Sequence, residues 1–425
     1  MMNPSPILCG IDFGTSNSTV AVVADGETTL VPLEDGQTSM PSAIFHPAGG
    51  EPPVYGRAAV AAYTAREPGR LMRSLKSILG SDLIAERTAV GGRMRSFEEI
   101  LVGFVGHLKQ KAEAHAGRPI RHVVMGRPVH FVDNDPAADR RAERKLGAIA
   151  RAAGFTDVVF QFEPIAAAMC FEASLTEEET VFVADIGGGT ADFSIVKIGR
   201  GHGSETGRAG DIRASHGIRV GGTNLDTRLS LATVMPQLGS RSLTEEGLDL
   251  PRWPFVELAT WHMIHRIATP AKLRMLKEIQ RSAAEPELFG RYMGVIERES
   301  GHLLAASVER AKIELSRVEE VRIDLDAAVP GVTLEATRTV LDSAISRELE
   351  RLTGAVEATR SAAGEAGGQV GTLFLTGGTS AVPAVRSLLA RAFGNARTVE
   401  GDLFDSVGMG LALDAQRRFA GEVGG

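Results

Sequence analysis

Two short stretches of the sequence place an aspartate, glycines and hydroxyl residues between apolar runs. The first is CGIDFGTSNSTVAVV, residues 9–23, with Asp12, Gly14, Thr15 and Ser16 at its centre. Glycines let backbone N–H groups approach a ligand and point to one place, and hydroxyls can donate to phosphate oxygens. An aspartate is repelled by phosphate, but it can hold the waters of a Mg²⁺ ion that bridges phosphates. The stretch therefore predicts a phosphate-binding hairpin.

The second stretch, TVFVADIGGGTADFSIVKIG at residues 180–199, repeats this pattern around Asp185 and Thr190. We interpret the pair as an internal duplication, in which each half opens on the same hairpin. Two facing hairpins of this kind would hold a metal–triphosphate between them, with Asp12 and Asp185 on one hydrated cation. A Walker A loop or a dinucleotide fingerprint fits less well, because each needs a helix after its glycines.

The elements that must position these residues follow from apolar periodicity and from glycine and proline signals. Strands are expected at 7–13, 18–24, 122–128, 180–199 (a pair), 321–325, 332–337 and 372–378. Helices are expected at 57–80, 96–115, 137–153 and 339–363, with a largely helical segment at 228–308 and a loop-rich stretch at 34–56. Alternating strands and helices predict an α/β fold.

Bulk composition excludes several classes of protein. A net charge of −7 with no long basic block argues against a nucleic-acid partner. Two cysteines, Cys9 and Cys170, each within an apolar run, predict buried free thiols in a reducing compartment. The N-terminus does not resemble a signal peptide, and no apolar run reaches the ~20 residues that span a bilayer. We therefore expect a cytoplasmic protein with no membrane partner.

Six motifs carry a resemblance to a known family. GIDFGTSNSTVAV and VADIGGGTADFSIV resemble the two phosphate motifs of the actin-like ATPase superfamily, in particular those of the ATPase domain of DnaK-type 70-kDa heat-shock chaperones. The other four, in the family's order, are FEPIAAAMCFE at 162–172, GGTNLD at 221–226, ERAKIELS at 309–316 and LTGGTSAVP at 375–383. Together they span almost the whole chain, and short chaperone-like proteins of the YegD type are the nearest subgroup.

The resemblance implies an α/β actin-like ATPase fold, with two ribonuclease-H-like lobes around a nucleotide cleft. Lobe I would cover 1–178 with an inserted subdomain about 34–117, and lobe II would cover 179–400 with a helical insert about 228–310. Residues 401–425 would form a C-terminal connecting helix that packs back on lobe I. Small residues in the two connecting helices would let these helices cross closely and slide; they are Ala166, Ala167, Ala168, Gly408, Gly410 and Ala412.

The resemblance also implies roles for single residues. Lys76 would neutralise charge on the γ-phosphoryl group, and Glu163 would position the attacking water. Asp12 and Asp185 would orient Mg²⁺ through water. The implied catalytic residues are Lys76, Glu163, Thr190 and Asp192. The implied ATP- or ADP-binding residues are Gly14, Thr15, Ser16, Asn17, Gly187, Gly188, Gly189, Thr190, Gly221, Gly222, Glu309, Lys312, Ile313, Ser316, Gly377, Gly378, Thr379 and Ala381.

Departures from the family pattern limit what it implies. Ala381 stands where many members carry an arginine that stacks on adenine, which removes a contact worth roughly 0.5–2 kcal/mol. The stretch after Pro128 is longer than in the chaperones. The chain ends at Gly425, so we expect no peptide-binding domain.

The sequence therefore predicts a Mg²⁺-dependent, slowly hydrolysing ATPase switch, with the helical segment about 228–310 as the surface for a protein partner or client. Three alternatives share the phosphate motifs. They are an ATP-dependent filament-forming protein like MreB or ParM, a small-molecule kinase of the same superfamily, and a non-hydrolysing nucleotide sensor.

Overall fold

The computed structural model describes residues 6–65, 67–73, 75–132, 135–172, 175, 177–199, 208–261, 263–400 and 405–419. The strands are β1 Leu8–Phe13, β2 Asn17–Ala24, β3 Glu27–Leu30, β4 Ser39–Pro41, β5 Ala43–Pro47, β6 Val54–Tyr55, β7 Gly69–Arg73, β8 Arg87–Val90, β9 Arg93–Ser96, β10 His122–Arg127, β11 Asp157–Phe162, β12 Glu179–Ile186, β13 Ala191–Ile198, β14 Ile212–Ile218, β15 Glu320–Asp324, β16 Thr333–Thr337, β17 Thr372–Thr376 and β18 Arg397–Glu400.

The α-helices are α1 Gly56–Thr64, α2 Phe97–Ala116, α3 Pro136–Ala152, α4 Glu163–Glu172, α5 Gly222–Thr233, α6 Trp253–Ala259, α7 Pro270–Ser282, α8 Pro286–Glu297, α9 Gly301–Leu315, α10 Arg338–Ala344, α11 Ser346–Ala362, α12 Glu365–Gly368, α13 Pro383–Ala392 and α14 Ser406–Phe419. Short 3₁₀ helices lie at Leu75–Ile78, Asp82–Ala85, Ala209–Asp211, Met235–Leu238, Ile264–Arg266 and Gly378–Ala381.

Two sheets share one strand order, as the duplicated sequence pattern predicts. The first runs β3-β2-β1-β10-β11, with β4 added to β2, and the second runs β14-β13-β12-β17-β18. In each sheet three antiparallel strands are followed by two parallel ones. Both hairpins predicted from the sequence are present, as β1–β2 and β12–β13. The fold is thus α/β, and both aspartates lie near the ends of equivalent strands.

The first strands of both sheets are almost wholly buried, as expected for strands covered on both faces. In β1 every residue is buried except Asp12, which is half-buried. In β12 the interior exception is Asp185. Each sheet therefore holds one aspartate at the point where an apolar strand gives way to a turn.

Contact density divides the chain into two compact units. The first contains Met1–Arg219, Ala355–Ser380 and Ala390–Gly425, and so includes both sheets. The second contains Val220–Gly354 and Ala381–Leu389. The lobe boundaries at residues 178 and 400 stay a prediction.

Helices α4 and α14 cross within the first unit at small residues. A Cβ atom added at Gly410 would lie 1.8 Å from Ala166 O, so the helix backbones are in direct contact. One added at Gly10 of β1 would lie 2.3 Å from Ala412 N. Glycine at positions 10 and 410 thus lets α14 pack against both the sheet and α4, and α4 begins at Glu163.

The second unit is built mostly from helices, as predicted for 228–308. Helices α5, α6, α7, α8 and α9 together cover more than half of that segment. Its aromatic core joins Phe255, Phe289 and Tyr292, whose ring centroids lie 5.0–5.9 Å apart. The Tyr292 hydroxyl donates to Pro254 O at 3.1 Å, so a buried polar group is satisfied. The strand pair β15–β16 confirms the two strands expected after this segment.

Two predictions for the first inserted region are wrong. The helix expected over 57–80 ends at Thr64, and β7 follows, because Glu67-Pro68 breaks the helix and Gly69–Arg73 pairs with β5. The loop expected over 34–56 contains β4, β5 and β6. The sequence patterns also missed β8, β9, β11, β14 and β18, which are short or lie at sheet edges.

The two cysteines differ in burial. Cys9 is buried as expected, whereas Cys170 is only half-buried, and both are free thiols. Within the described ranges, no helix combines the length and apolar character needed to cross a bilayer.

Candidate functional site

The tips of the two hairpins meet within the first unit. A Cβ atom added at Gly188 would lie 2.1 Å from Ser16 Oγ, and one added at Gly189 would lie 3.9 Å from Thr15 Cγ2. Position 188 therefore has no room for a side chain as long as Ser16 keeps its position. Position 189 has room for a methyl group. The facing arrangement of the hairpins that the sequence predicts is present in the structure.

Each tip is held by a hydroxyl from a separate segment. Ser42 Oγ donates to Gly14 O at 2.7 Å, and Ser42 N donates to Ser16 O at 2.8 Å. At the second tip Thr379 Oγ1 donates to Gly187 O at 2.8 Å. Sequence reasoning missed Ser42, because nothing in its own neighbourhood marks a serine that far along the chain as a support of the first turn.

A buried ion pair lies beside the hairpins. Lys76 Nζ donates to Glu163 Oε1 at 2.6 Å, and the two side chains are only 9% and 12% exposed. Lys76 lies on the 3₁₀ helix after β7, and Glu163 is the first residue of α4. A Cβ atom added at Gly126 would lie 3.2 Å from Glu163 Cγ, so the glycine before Arg127 leaves room for this carboxylate. The pair joins two residues that are far apart in sequence, as the predicted roles require.

Two further carboxyl groups, those of Asp12 and Asp185, surround this pair. Burial raises the pKa of Asp12 to about 8, with Glu163 and Asp185 adding to the rise and Lys76 opposing it. Burial also raises the pKa of Asp185 to about 7, with Glu163 and Asp192 adding to the rise. Burial would lower the pKa of Lys76, but the Glu163 and Asp12 carboxylates outweigh it and raise that pKa, so the ammonium stays charged.

These residues fit a hydrated divalent cation. Glu163 acts electrostatically on both Asp12 and Asp185, and the single charge of Lys76 does not hold both aspartates in their charged form. Within the described residues, no group of three or more acidic, histidine or cysteine side chains is placed to ligate a metal directly. Carboxyls that can give up their protons suit Mg²⁺, which prefers oxygen ligands and keeps several of its waters.

The remaining predicted residues of the second hairpin lie around Asp185. Asp192 is its cross-strand partner, and Thr190 O accepts from Gly187 N at 2.9 Å, which closes the turn and leaves the Thr190 side chain exposed. Gly377 has a φ of +77°, and a Cβ atom there would lie 2.7 Å from Asp185 Oδ1. Only glycine fits position 377, because it combines a left-handed backbone with close approach to a carboxylate.

The second unit contains the residues of the GGTNLD and ERAKIELS motifs that are predicted for the nucleoside. Gly221 and Gly222 are buried at the start of α5, and Lys312 of α9 donates to Gly222 O at 3.2 Å. Lys312 Nζ also lies 2.8 Å from Asp226 Oδ1. The structure thus joins the GGTNLD and ERAKIELS motifs through one buried lysine, which already has two partners within the unit.

The other nucleoside candidates differ in exposure. Glu309 and Ser316 are half-buried on α9, and Ile313 is 51% exposed, which is high for an isoleucine. Ala381 is half-buried in the same unit. Gly378 and Thr379 belong to the first unit, where Gly378 is exposed and Thr379 is buried.

The comparison with protein families agrees with this geometry. The sequence model of the Hsp70 protein family matches residues 8–234 and 297–418, well over half of the chain. The chain belongs to the Hsp70 family, has the actin-like ATPase fold, and contains an Hsp70-type ATP-binding domain. The unmatched stretch between these ranges, 235–296, lies inside the helical segment of the second unit.

Proposed function

We propose that the protein is a Mg²⁺-dependent, slowly hydrolysing ATPase that acts as a conformational switch of the DnaK type. The observation that carries the proposal is the Lys76–Glu163 ion pair, which lies beside Asp12 and Asp185 where the glycine-rich tips meet. Buried carboxyls with raised pKa values can exchange their protons for a bound cation, and they are typical of functional sites.

Different residues of the first unit are proposed to bind phosphate, to hold the metal ion and to assist hydrolysis. The backbone N–H groups and hydroxyls of Thr15 and Ser16 bind the phosphates from one side, and Gly187–Thr190 bind them from the other. Asp12 and Asp185 hold the waters of Mg²⁺, which supplies neutralisation of phosphate charge when bound. Lys76 stabilises charge that develops on the γ-phosphoryl group, and Glu163 orients the attacking water, with Asp192 supporting Asp185.

Within the second unit, Gly221, Gly222 and α9 are the proposed nucleoside-binding residues. Gly221 and Gly222 offer bare backbone to ribose and base, and Ile313 is an exposed apolar surface for the purine. Within the first unit, Gly377 and Gly378 are proposed as nucleotide-binding residues, and Gly377 approaches Asp185 closely. Glu309, Lys312 and Ser316 share one helical face by their spacing. Ala381 leaves the base without a stacked guanidinium.

The helical segment about 228–310 is the proposed surface for a protein partner or client. Its support is the stretch 235–296, which departs from the family pattern while its flanks match. We further propose that the protein acts in the cytoplasm and transmits its nucleotide state to a separate protein.

Calorimetric titration with ATP, with and without Mg²⁺, followed by single-turnover hydrolysis, tests the proposal. Binding that requires Mg²⁺ and slow release of phosphate are expected. No binding, or rapid phosphoryl transfer to a small molecule in place of slow hydrolysis, would contradict it. ATP-dependent sedimentation would favour a filament-forming protein instead, and a pull-down in each nucleotide state would identify the partner.

A further inference from the structure

A buried cluster of charges lies at the end of α4 that is opposite the candidate site. Glu172, the last residue of the helix, is 4% exposed, and both its oxygens accept hydrogen bonds. Arg208 Nη1 and Nη2 donate to them at 2.8 Å each, and Gly199 N donates at 3.2 Å. Arg208 also donates to Asp211 Oδ2 at 2.6 Å. The end of α4 is therefore fixed to the segments that follow β13 and precede β14.

A carboxylate at this position needs compensation. The carbonyl end of a helix carries partial negative charge, so an acidic residue is disfavoured there. Burial would raise the pKa of Glu172, but Arg208 and Gly199 outweigh it and hold that pKa below its ordinary value. Glu172 thus stays charged because its partners come from outside α4.

A second arginine reaches the same carboxylate from α14. Arg417 Nη1 and Nη2 lie 3.3 and 3.4 Å from Glu172 Oε2, and the Arg417 side chain is 36% exposed. This contact is longer and more solvent-exposed than the one with Arg208, whose side chain is 3% exposed. It is therefore the weaker link of the cluster, and it is the link that joins the two crossing helices.

The distance from the crossing point makes this link sensitive to the angle between the helices. At about 1.5 Å per residue, Glu172 lies about 9 Å from Ala166 and Arg417 about 10 Å from Gly410. A change of about 20° in the crossing angle would move either end by about 3 Å, enough to break a contact of this length. Glu163, on the other side of Ala166, would move with the same helix.

We propose that the Arg417–Glu172 contact sets the crossing angle of α4 and α14 and thereby positions Glu163 beside Lys76. Arg417 and Glu172 are positioning residues that act through α4, and they contact no substrate. The consequence for hydrolysis rests on the proposed ATPase function. The effect on the helix crossing is independent of it, so the two can fail separately.

The two cysteines allow the crossing to be measured without nucleotide. Cys170 of α4 donates to Ser406 O of α14 at 3.1 Å, so its reactivity reports on the contact between these helices. Cys9 is fully buried in β1 and reports on global opening. The rates of reaction with a small aromatic disulfide reagent, assigned to each cysteine by peptide mass, separate local from global change.

The variants are Arg417→Gln, Arg417→Lys and, as a matched control, Arg418→Gln. Arg418 is also a cation of the last turn of α14, but its ion pair with Asp414 lies within the same helix, at 2.6 Å. We expect Arg417→Gln to accelerate the labelling of Cys170 about fivefold, which is the effect of losing one part-exposed ion pair. The labelling rate of Cys9 should not change. Arg417→Lys retains most of the wild-type protection, and Arg418→Gln changes the Cys170 rate less than about twofold.

The proposal would be overturned if Arg417→Gln and Arg418→Gln accelerated Cys170 labelling equally, or if Cys9 labelling accelerated in parallel. In single-turnover assays Arg417→Gln should lower the hydrolysis rate about threefold with ATP affinity unchanged, since only Glu163 is displaced. An unchanged rate beside faster Cys170 labelling would remove the positioning role. A wild-type protein that does not hydrolyse ATP refutes the proposed function, and the labelling rates still decide whether the contact sets the crossing.

Discussion

The two sheets have the same strand order but contribute different chemistry. Each supplies one aspartate, Asp12 or Asp185, at the end of its first strand and one glycine-containing tip. The first half additionally supplies Lys76, from the region between β2 and β10, and Glu163, from the helix after β11. The corresponding insertion in the second half forms most of a separate compact unit. Duplication thus accounts for the symmetric pair of acids. The insertion in the first half accounts for Lys76, and Glu163 comes from the helix that follows the fifth strand of the first sheet.

Removal of Lys76 should give the largest effect, because the asymmetry of the halves depends on it. Lys76→Ala takes away the positive charge that acts on all three carboxyls. We expect single-turnover hydrolysis to slow by at least about a hundredfold while ATP still binds. The control is Lys145→Ala, which removes a half-buried lysine paired with Glu98. An unchanged rate in Lys76→Ala would mean that Lys76 is not a catalytic group.

The close approach of the tips can be tested with neighbouring glycines. A methyl group at position 188 collides with Ser16 Oγ, whereas one at 189 finds ordinary contact at 3.9 Å. Gly188→Ala should weaken Mg²⁺-ATP binding about tenfold because overpacking forces the tips apart, and Gly189→Ala should stay within about twofold. Calorimetric dissociation constants of the two variants measure this. Equal effects would show that the tips do not need to touch.

The raised pKa values of Asp12 and Asp185 predict a dependence of stability on pH in the absence of metal. The folded protein keeps protons on these carboxyls that the unfolded chain has already released near pH 4. The free energy of unfolding should therefore fall as pH rises from about 4 to 8, with the loss complete above the folded pKa values. Urea unfolding without Mg²⁺ measures the slope.

Asp12→Asn is the variant that isolates this contribution. It removes the carboxyl with the higher pKa, so the loss of stability should shift to lower pH and become smaller. Because protons and Mg²⁺ compete for the same carboxylates, Mg²⁺-ATP should stabilise the wild-type protein more at pH 8 than at pH 6. The same pH slope in wild type and Asp12→Asn would contradict the assignment.

The smallest expected effect concerns the base. Ala381→Arg restores a guanidinium at the position where many family members stack one on adenine. We expect ATP to bind about two- to tenfold more tightly, the size of a part-exposed cation–π contact. Ala381→Lys serves as the control for added charge without a planar group. Equal gains in both variants would point to electrostatics instead of stacking.

Strong local sequence signals made many of the helices and strands predictable. Both hairpins follow from alternating apolar residues around an aspartate and glycines, and α2, α3 and β10 follow from periodicity with a capping serine, a proline or a left-handed glycine. The family resemblance then assigned Lys76 and Glu163, and the structure places their side chains in contact. In the segment 228–308, the spacing of apolar residues predicted helical structure.

Other features depend on contacts distant in sequence and left no local signal. Residues 69–73 form β7 because β5 lies beside them, and the helical periodicity of the preceding residues masked this. Ser42 supports the first tip from another segment, and Glu172 meets Arg208 and Arg417 only after the chain has folded. Strands β11, β14 and β18 gain stability from pairing at sheet edges more than from their own pattern.

The central claim is that Asp12 and Asp185 share one hydrated cation between matching hairpins. A double-mutant cycle of Asp12→Asn and Asp185→Asn, with the Mg²⁺-dependent part of ATP affinity measured by calorimetry, tests it most directly. We expect each single variant to lose about 10- to 100-fold and the double variant to lose little more, because one ion is lost in every case. Losses that multiply, or a Mg²⁺ dependence that survives in either single variant, would contradict the shared site.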